Sequence, residues 1–187
     1  AMLNEAHTLR DHGRDVVVGI VEDHGRAYTK ALCEGLEVIP RRTVEGLSAG
    51  EMDTAAVIDR HPDIALVDEF AHSNPRDEEH KKRWEDVEEI LDSGIDVIST
   101  LNIQHVESLN DVIKQITGIA PQETVPDEVV RAADEIELVD VSPQLLRTRL
   151  RDGQVYREAR IEPALSNYFR VGNLTALREL ALLWLAD

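Results

Sequence analysis

The sequence predicts an α/β fold, a parallel sheet with helices on both faces arranged in three layers. Short, nearly all-apolar runs such as Asp15 to Val21 (DVVVGIV) and Ile64 to Val67 (IALV) suit strands that are covered on both faces. These runs alternate almost without exception with helical stretches, the order that builds parallel sheets through crossover helices. The helical stretches also carry their own stop signals, among them Gly13, Gly94 and Gly118.

Met2 to His12 reads as a helix, with Leu3, Ala6 and Leu9 at three-residue spacing and Gly13 as its stop. Asp15 to Val21 is the first strand, Ala27 to Leu36 a helix, and Glu37 to Ile39 a short strand ahead of Pro40. Asp53 is suited to cap a helix that runs to Arg60 and stops at His61–Pro62. Ile64 to Val67 is again a strand, Arg83 to Asp92 a helix, and Asp96 to Leu101 a strand. Val106 to Thr117 is predicted as a helix and Ile136 to Val139 as the last strand. Ser142 and Pro143 occupy the N-cap and first position of a helix ended by Gly153. A helical tail, about 161–187, carries Leu174, Leu177, Leu180, Leu183 and Trp184. A doubly wound sheet normally opens with a strand, whereas this chain opens in a helix, so the expectation is a fragment of a larger protein.

The 187 residues suffice for one sizeable core, and a single domain over 1–187 is the expectation. The net charge of −17 repels a phosphate backbone, which argues against nucleic acid as a partner. The same field argues against docking on an anionic leaflet through a basic patch. No apolar run approaches the roughly 18 residues of a spanning helix, so no direct membrane insertion by this segment is expected. There is no basic, then apolar, leader. Cys33 is the only cysteine and reads as a small core residue, which fits a reducing cytoplasm. The seven histidines show no H-E-x-x-H or similar pairing, so a structural metal is not expected.

Ile64–Ala65–Leu66–Val67–Asp68–Glu69 is the sharpest chemical signal. Four apolar residues followed by two acids is the Walker B form of a P-loop NTPase, in which a buried strand delivers an aspartate to the carboxyl edge of the sheet. There Asp68 can hold Mg²⁺ directly or through water, and Glu69 can polarise a water or accept a proton. The alternative is that buried strands commonly end in an acid. The phosphate loop G-x-x-x-x-G-K-S/T occurs nowhere in the sequence, so the first strand and phosphate loop of such a fold are absent from this chain.

A second polar cluster, Thr100–Leu101–Asn102–Ile103–Gln104–His105, lies between a strand and a helix and is expected at the same sheet edge. Asn102 or Gln104 can sense a γ-phosphate, and His105 can act as acid, base or relay. Equally, Asn102 caps a turn and His105 is a satisfied edge histidine. His72–Ser73–Asn74 reads as a loop over the site in which Ser73 does turn chemistry, since no G-x-S-x-G elbow surrounds it. Arg76 to Trp84 reads as a charged, solvated loop. His24–Gly25–Arg26 reads as an exposed turn within reach of phosphate.

Six stretches in order then give a resemblance: DVVVGIVEDHGR (15–26), IALVDEFAHSN (64–74), KRWEDVEEILDSGIDV (82–97), NIQHVESLND (102–111), ETVPD (123–127) and GNLTALRELAL (172–182). The chain resembles, from end to end, the N-terminal cytoplasmic domain of the KdpD sensor histidine kinases. The resemblance implies a regulatory domain of a two-component potassium-sensing kinase, preceded by a Walker A loop ending in Gly-Lys-Thr. It further implies Mg-ATP binding in the intact domain, with the Walker B assignment carried over to Asp68 and Glu69 and Mg²⁺ held at Asp68 through the nucleotide; the edge cluster adds Asn102, Gln104 and His105 to the expected nucleotide contacts. Tight binding by this segment alone is not expected. The implied partners are downstream domains of the same kinase, with a possible homodimer, and the implied location is the cytoplasmic face of the plasma membrane. The segment is not expected to be catalytic by itself. Two other classes remain open: an ATPase or phosphotransferase with Glu69 as its base, and a non-catalytic interaction scaffold built on the apolar helix Asn173 to Ala186.

Overall fold

Val16–Ile20 (β1) and Ile64–Val67 (β3) are buried at every position, as their unbroken apolar runs require of strands covered on both sides. They pair in parallel at the centre of a four-stranded sheet in the order β2-β1-β3-β4, with Glu37–Val38 (β2) and Asp96–Ser99 (β4) at its ends. The structure, a computed structural model, describes residues 1–46, 49–151 and 168–187. It divides into two compact units, Ala1–Leu101 and Asn102–Asp187.

In the first unit the two-residue period of the strands sorts side chains onto two faces. Val16 and Val18 of β1 and Ile64 and Leu66 of β3 join Leu3 and Ala6 of helix Met2–Asp11 (α1). Leu32 and Cys33 of helix Ala27–Cys33 (α2) pack against the same cluster, so Cys33 does serve as a half-buried core residue. On the opposite face Val17, Ile20, Ala65 and Val67 pack with Val57 of helix Thr54–Arg60 (α3) and with Val87 and Ile90 of helix Arg83–Asp92 (α4). These are the three layers that the pattern predicts. Asp53 caps α3 by accepting from Ala56 N–H at 2.9 Å. The N-terminus of α4 is capped from within: Glu85 Oε2 accepts from Lys81 and Lys82 N–H, each at 2.8 Å.

Two features of the sheet shape its carboxyl edge. The chain moves outward from β1 to β2, then crosses back over β1 to β3, and the helix between strands changes face as it does so. The carboxyl ends of β1 and β3 therefore flank a topological switch point, where open α/β sheets leave a crevice. A bulge at Gly19 interrupts the β1–β3 register between Val18 and Ile20. A Cβ there would lie 3.1 Å from Leu66 O and 3.4 Å from Met52 Sδ, so the close approach of β1 to its neighbours requires glycine.

The second unit is helical. Turns of 3₁₀ helix at Ile103–His105 and Glu107–Leu109 lead into helix Asn110–Thr117 (α5), which Gly118 closes at φ +76°. Helices Asp127–Arg131 (α6), Pro143–Arg151 (α7) and Val171–Ala186 (α8) follow. The expected strand Ile136 to Val139 does not form: the segment has no ladder partner, and Ile136 and Val139 are exposed. Alternation would put Ile136 and Leu138 on one face, but no strand among the described residues lies beside the segment to pair with it. The expected stop at Gly153 and the start of the tail at Ile161 lie outside the described residues. Helix α8 buries Leu174, Leu177, Ala181 and Trp184 within its own unit and leaves Leu182 and Leu183 exposed. Most of the apolar stripe that suggested a scaffold is thus used in folding. No helix among the described residues is long and apolar enough to cross a membrane.

Candidate functional site

Asp68 follows the last residue of β3 and stands at the switch point, as its place after a buried strand predicts. Its backbone N–H extends the sheet ladder by donating to Ile20 O at 3.0 Å. The carboxylate is half-buried and held from both neighbouring strands. Oδ2 accepts from the Glu22 N–H at 2.9 Å, beyond β1, and Oδ1 accepts from the Thr100 hydroxyl, beyond β4. Thr100 bridges the two acids, since its oxygen also accepts from the Glu69 N–H at 3.1 Å. Phe70 N–H donates to Thr100 O at 2.9 Å and fixes the turn that follows.

Glu69 sits at φ +55°, a left-handed conformation that a non-glycine residue takes at a cost of about 1–2 kcal/mol. Facing it is His24, itself at φ +50°, whose Nε2 lies 2.8 Å from Glu69 Oε1. Both members of this exposed pair thus occupy strained backbone, which concentrates strain at the switch point. The His24 turn is locked by Asp23, which accepts from Gly25 N–H at 2.6 Å and from Arg26 N–H at 2.8 Å. Arg26 Nε–H at this turn is buried without an acceptor. Arg41 donates to Val21 O at 2.7 Å and pairs with Glu22 at 3.2 Å, tying the end of β1 to the segment after β2.

Beneath the acids lies a buried ion cluster. Arg83, 1% exposed, donates from Nη1 to Asp68 O at 3.0 Å and from Nη2 to Glu51 Oε2 at 3.3 Å. His72 Nε2 lies 3.1 Å from both Glu51 oxygens. His72 N–H donates to Glu69 O and Arg83 N–H donates to His72 O, so backbone and side chains together clamp the turn after Asp68. Ser73 pairs with Lys82 in an isolated antiparallel bridge and accepts from Lys82 Nζ at 2.8 Å, consistent with its expected role in the turn.

The arrangement has definite chemical capacity. Each Asp68 oxygen accepts one hydrogen bond and retains a lone pair, which fits a hydrated Mg²⁺ held through water, a hard cation with oxygen ligands. The Glu69 carboxylate is oriented by the imidazole of His24.

Asn102, Gln104 and His105 belong to the second unit. Asn102 is exposed and starts the first 3₁₀ turn without a side-chain cap bond, its carbonyl accepting from His105 N–H at 2.9 Å. Gln104 is half-buried. His105 Nδ1 lies 2.8 Å from Glu123 O, and His105 O accepts from Val125 N–H at 2.7 Å, next to a bridge between Val106 and Val125. His105 therefore fastens the 123–125 segment, the structural role of a satisfied histidine. Sequence reasoning did not assign Glu22, Arg83 and Glu51 to the site, and it placed Thr100 in the cluster expected at this edge without giving it a role. Thr100, the first residue after β4, carried a usable signal, because a polar residue there must share the carboxyl edge with Asp68.

The whole chain, residues 1–187, matches the model of a protein family described as KdpD, the osmosensitive K⁺ channel His kinase sensor domain. It is 60% identical over 189 aligned residues to sensor protein KdpD of Mycobacterium tuberculosis H37Rv, covering 100% of this chain and 22% of that protein. Sensor protein KdpD of Rathayibacter rathayi is 61% identical, again over all of this chain and 22% of its own length. That of Escherichia coli K12 is 52% identical, over all of this chain and 21% of its own length. The chain thus spans about a fifth of these relatives' length. An α/β sheet ending in the Asp68–Glu69 pair, and a match that runs the full length, lead to one assignment: the chain belongs to the KdpD sensor-domain family.

Proposed function

We propose that this chain is the regulatory sensor module of a potassium-responsive, two-component histidine kinase. In the intact protein it binds Mg-ATP at the carboxyl edge of the sheet and so biases the balance between kinase and phosphatase activity. The observation that carries the reading is Asp68, presented at the switch point between β1 and β3 with its carboxylate oriented by Glu22 N–H and the Thr100 hydroxyl. Asp68 would hold hydrated Mg²⁺. Such a module sits at the cytoplasmic face of the membrane and acts on downstream domains of the same kinase, alone or as a homodimer.

Binding rather than turnover is the preferred reading, with the Glu69 carboxylate oriented by His24 at 2.8 Å. A sensor needs different affinities in two states and does not need hydrolysis. Calorimetric titration of Mg-ATP into the full-length native protein tests the proposal. Saturable binding that weakens about tenfold or more in Asp68→Asn, a loss of about 1.4 kcal/mol, is expected. Absence of saturable binding to the unmodified protein refutes it. Steady ATP turnover abolished by Glu69→Gln would instead establish the ATPase or phosphotransferase reading.

A further inference from the structure

A second constellation lies in the same unit, on residues the nucleotide reading does not use. Ser73 pairs with Lys82, and Asn74 N–H donates to Lys81 O at 2.9 Å, so the segment between them closes on itself. Lys81 Nζ ties it further, donating to Arg76 O at 2.8 Å and to Glu78 O. This closure presents His80 to the first turns of α4, where Asp86 and Glu89 stand three residues apart on one face. His80 Nδ1 lies 2.8 Å from Asp86 Oδ1 and 3.7 Å from Glu89 Oε2, and one donor atom from each of the three residues falls within 4.8 Å of the others.

We propose that His80, Asp86 and Glu89 form a three-ligand site for a divalent transition-metal ion of the zinc type. Tetrahedral bonds of 2.0–2.1 Å separate neighbouring donors by about 3.3 Å. The observed separations of 2.8 and 3.7 Å lie on either side of that figure, so small side-chain adjustments suffice. One imidazole nitrogen with two carboxylates is a donor set suited to zinc and its neighbours in the first transition row, and leaves a fourth position for water. The supporting groups are in place. Asn74 Nδ2 donates to the other Asp86 oxygen at 2.6 Å and to His80 O at 3.2 Å, which orients one ligand and the backbone of another. Asp86 is only 14% exposed and His80 28%, whereas Glu89, at 54%, is open to solvent and would give the ion its entry.

A cavity of about 260 Å³ adjoins the three residues, and Glu51, Asp53 and Glu78 add negative charge to its wall. Hydrogen bonding to Asp86, followed by the charges of Asp86, Glu89 and Glu85, raises the His80 pKa. The field that favours a proton there favours a cation as well. The spacing H-x₅-D-x₂-E matches none of the usual zinc signatures, which is why the sequence suggested no metal. A bound ion would staple the 74–82 segment to α4 beside Arg83, the residue that holds Asp68 O.

The test is titration of Zn²⁺ alone into the chelator-stripped, tag-free chain at neutral pH, with bound metal counted after dialysis. One ion per chain is expected. Affinity should fall tenfold or more in His80→Ala and in Glu89→Gln, and should be unchanged in His12→Ala, an exposed histidine at the C-cap of α1. Far-UV circular dichroism checks that each variant keeps its helices, and His80→Gln provides a second ligand-deleted variant if His80→Ala does not. Unchanged stoichiometry and affinity in a folded His80 variant, or the absence of a stoichiometric site in the unmodified chain, overturns the proposal.

Discussion

Replacing Arg83 by methionine should be among the most destabilising single changes available to the first unit. The guanidinium is 1% exposed, and the carboxylate it faces, Glu51, is 8% exposed, so neither charge recovers its hydration in the folded protein. Removing Arg83 leaves Glu51 buried with His72 as its remaining close partner and deprives Asp68 O of a donor. Breaking a buried pair from one side costs about 3–5 kcal/mol, because a buried charge is left uncompensated. Part of that is offset here, since His72 Nε2 stays within 3.1 Å of both Glu51 carboxylate oxygens as a hydrogen-bond partner. The lower half of the range, about 3–4 kcal/mol, is therefore expected. The partner experiment is Glu51→Leu in the Arg83→Met background, which replaces the pair by apolar volume and should restore at least about 1.5 kcal/mol. Urea unfolding followed by circular dichroism measures both. A single-variant loss under about 1 kcal/mol, or a double variant as unstable as the sum of the two singles, would show that burial of this pair is not what holds the turn.

Three further outcomes follow from particular residues. Thr100→Val keeps the shape but removes the hydroxyl that serves Asp68 Oδ1 and Glu69 N–H, and should cost about 2–3 kcal/mol in chemical denaturation. At Glu69 the backbone rather than the side chain should dominate: Glu69→Gly, free at φ +55°, should cost no more than about 0.5 kcal/mol, and Glu69→Val more than about 1 kcal/mol. Burial raises the Asp127 pKa, but hydrogen bonds from Ser108 and Trp184 and the charge of Arg131 more than reverse this and leave it below the ordinary value. Ionised Asp127 therefore adds stability that is fully present above its unfolded pKa and is lost as pH falls through the lower folded one. Thermal melts of the second unit should weaken below about pH 4, and Asp127→Asn should flatten that part of the profile.

How legible the chain was depends on the range over which each feature is determined. The layers were readable because β1 and β3 alternate between two buried faces, so their runs are apolar throughout, and because glycines mark helix ends locally. Asp68 was readable for the same reason: a charge placed straight after a buried strand has to surface at the edge. Ile136 to Val139 misled because three apolar residues satisfy a strand template, while only the lack of a neighbouring strand decides against it. The partners of the acids were less visible, since they arrive from positions 31 to 46 residues away in the chain: Thr100 to Glu69, His24 to Glu69 and Glu22 to Asp68. The position of Thr100 at that edge was expected, but none of the individual pairings has a local signature. Each becomes inferable only after the strand order is known, because the order β2-β1-β3-β4 puts the residues following β1 and β4 on either side of those following β3. The strand order therefore makes a demand of its own. With β3 between β1 and β4, Asp68 receives one donor from each side, and a rearranged sheet of the same strands would leave that carboxylate with a donor from one side only. The orientation of Asp68 is thus a property of the topology, and composition or motif alone could not have supplied it.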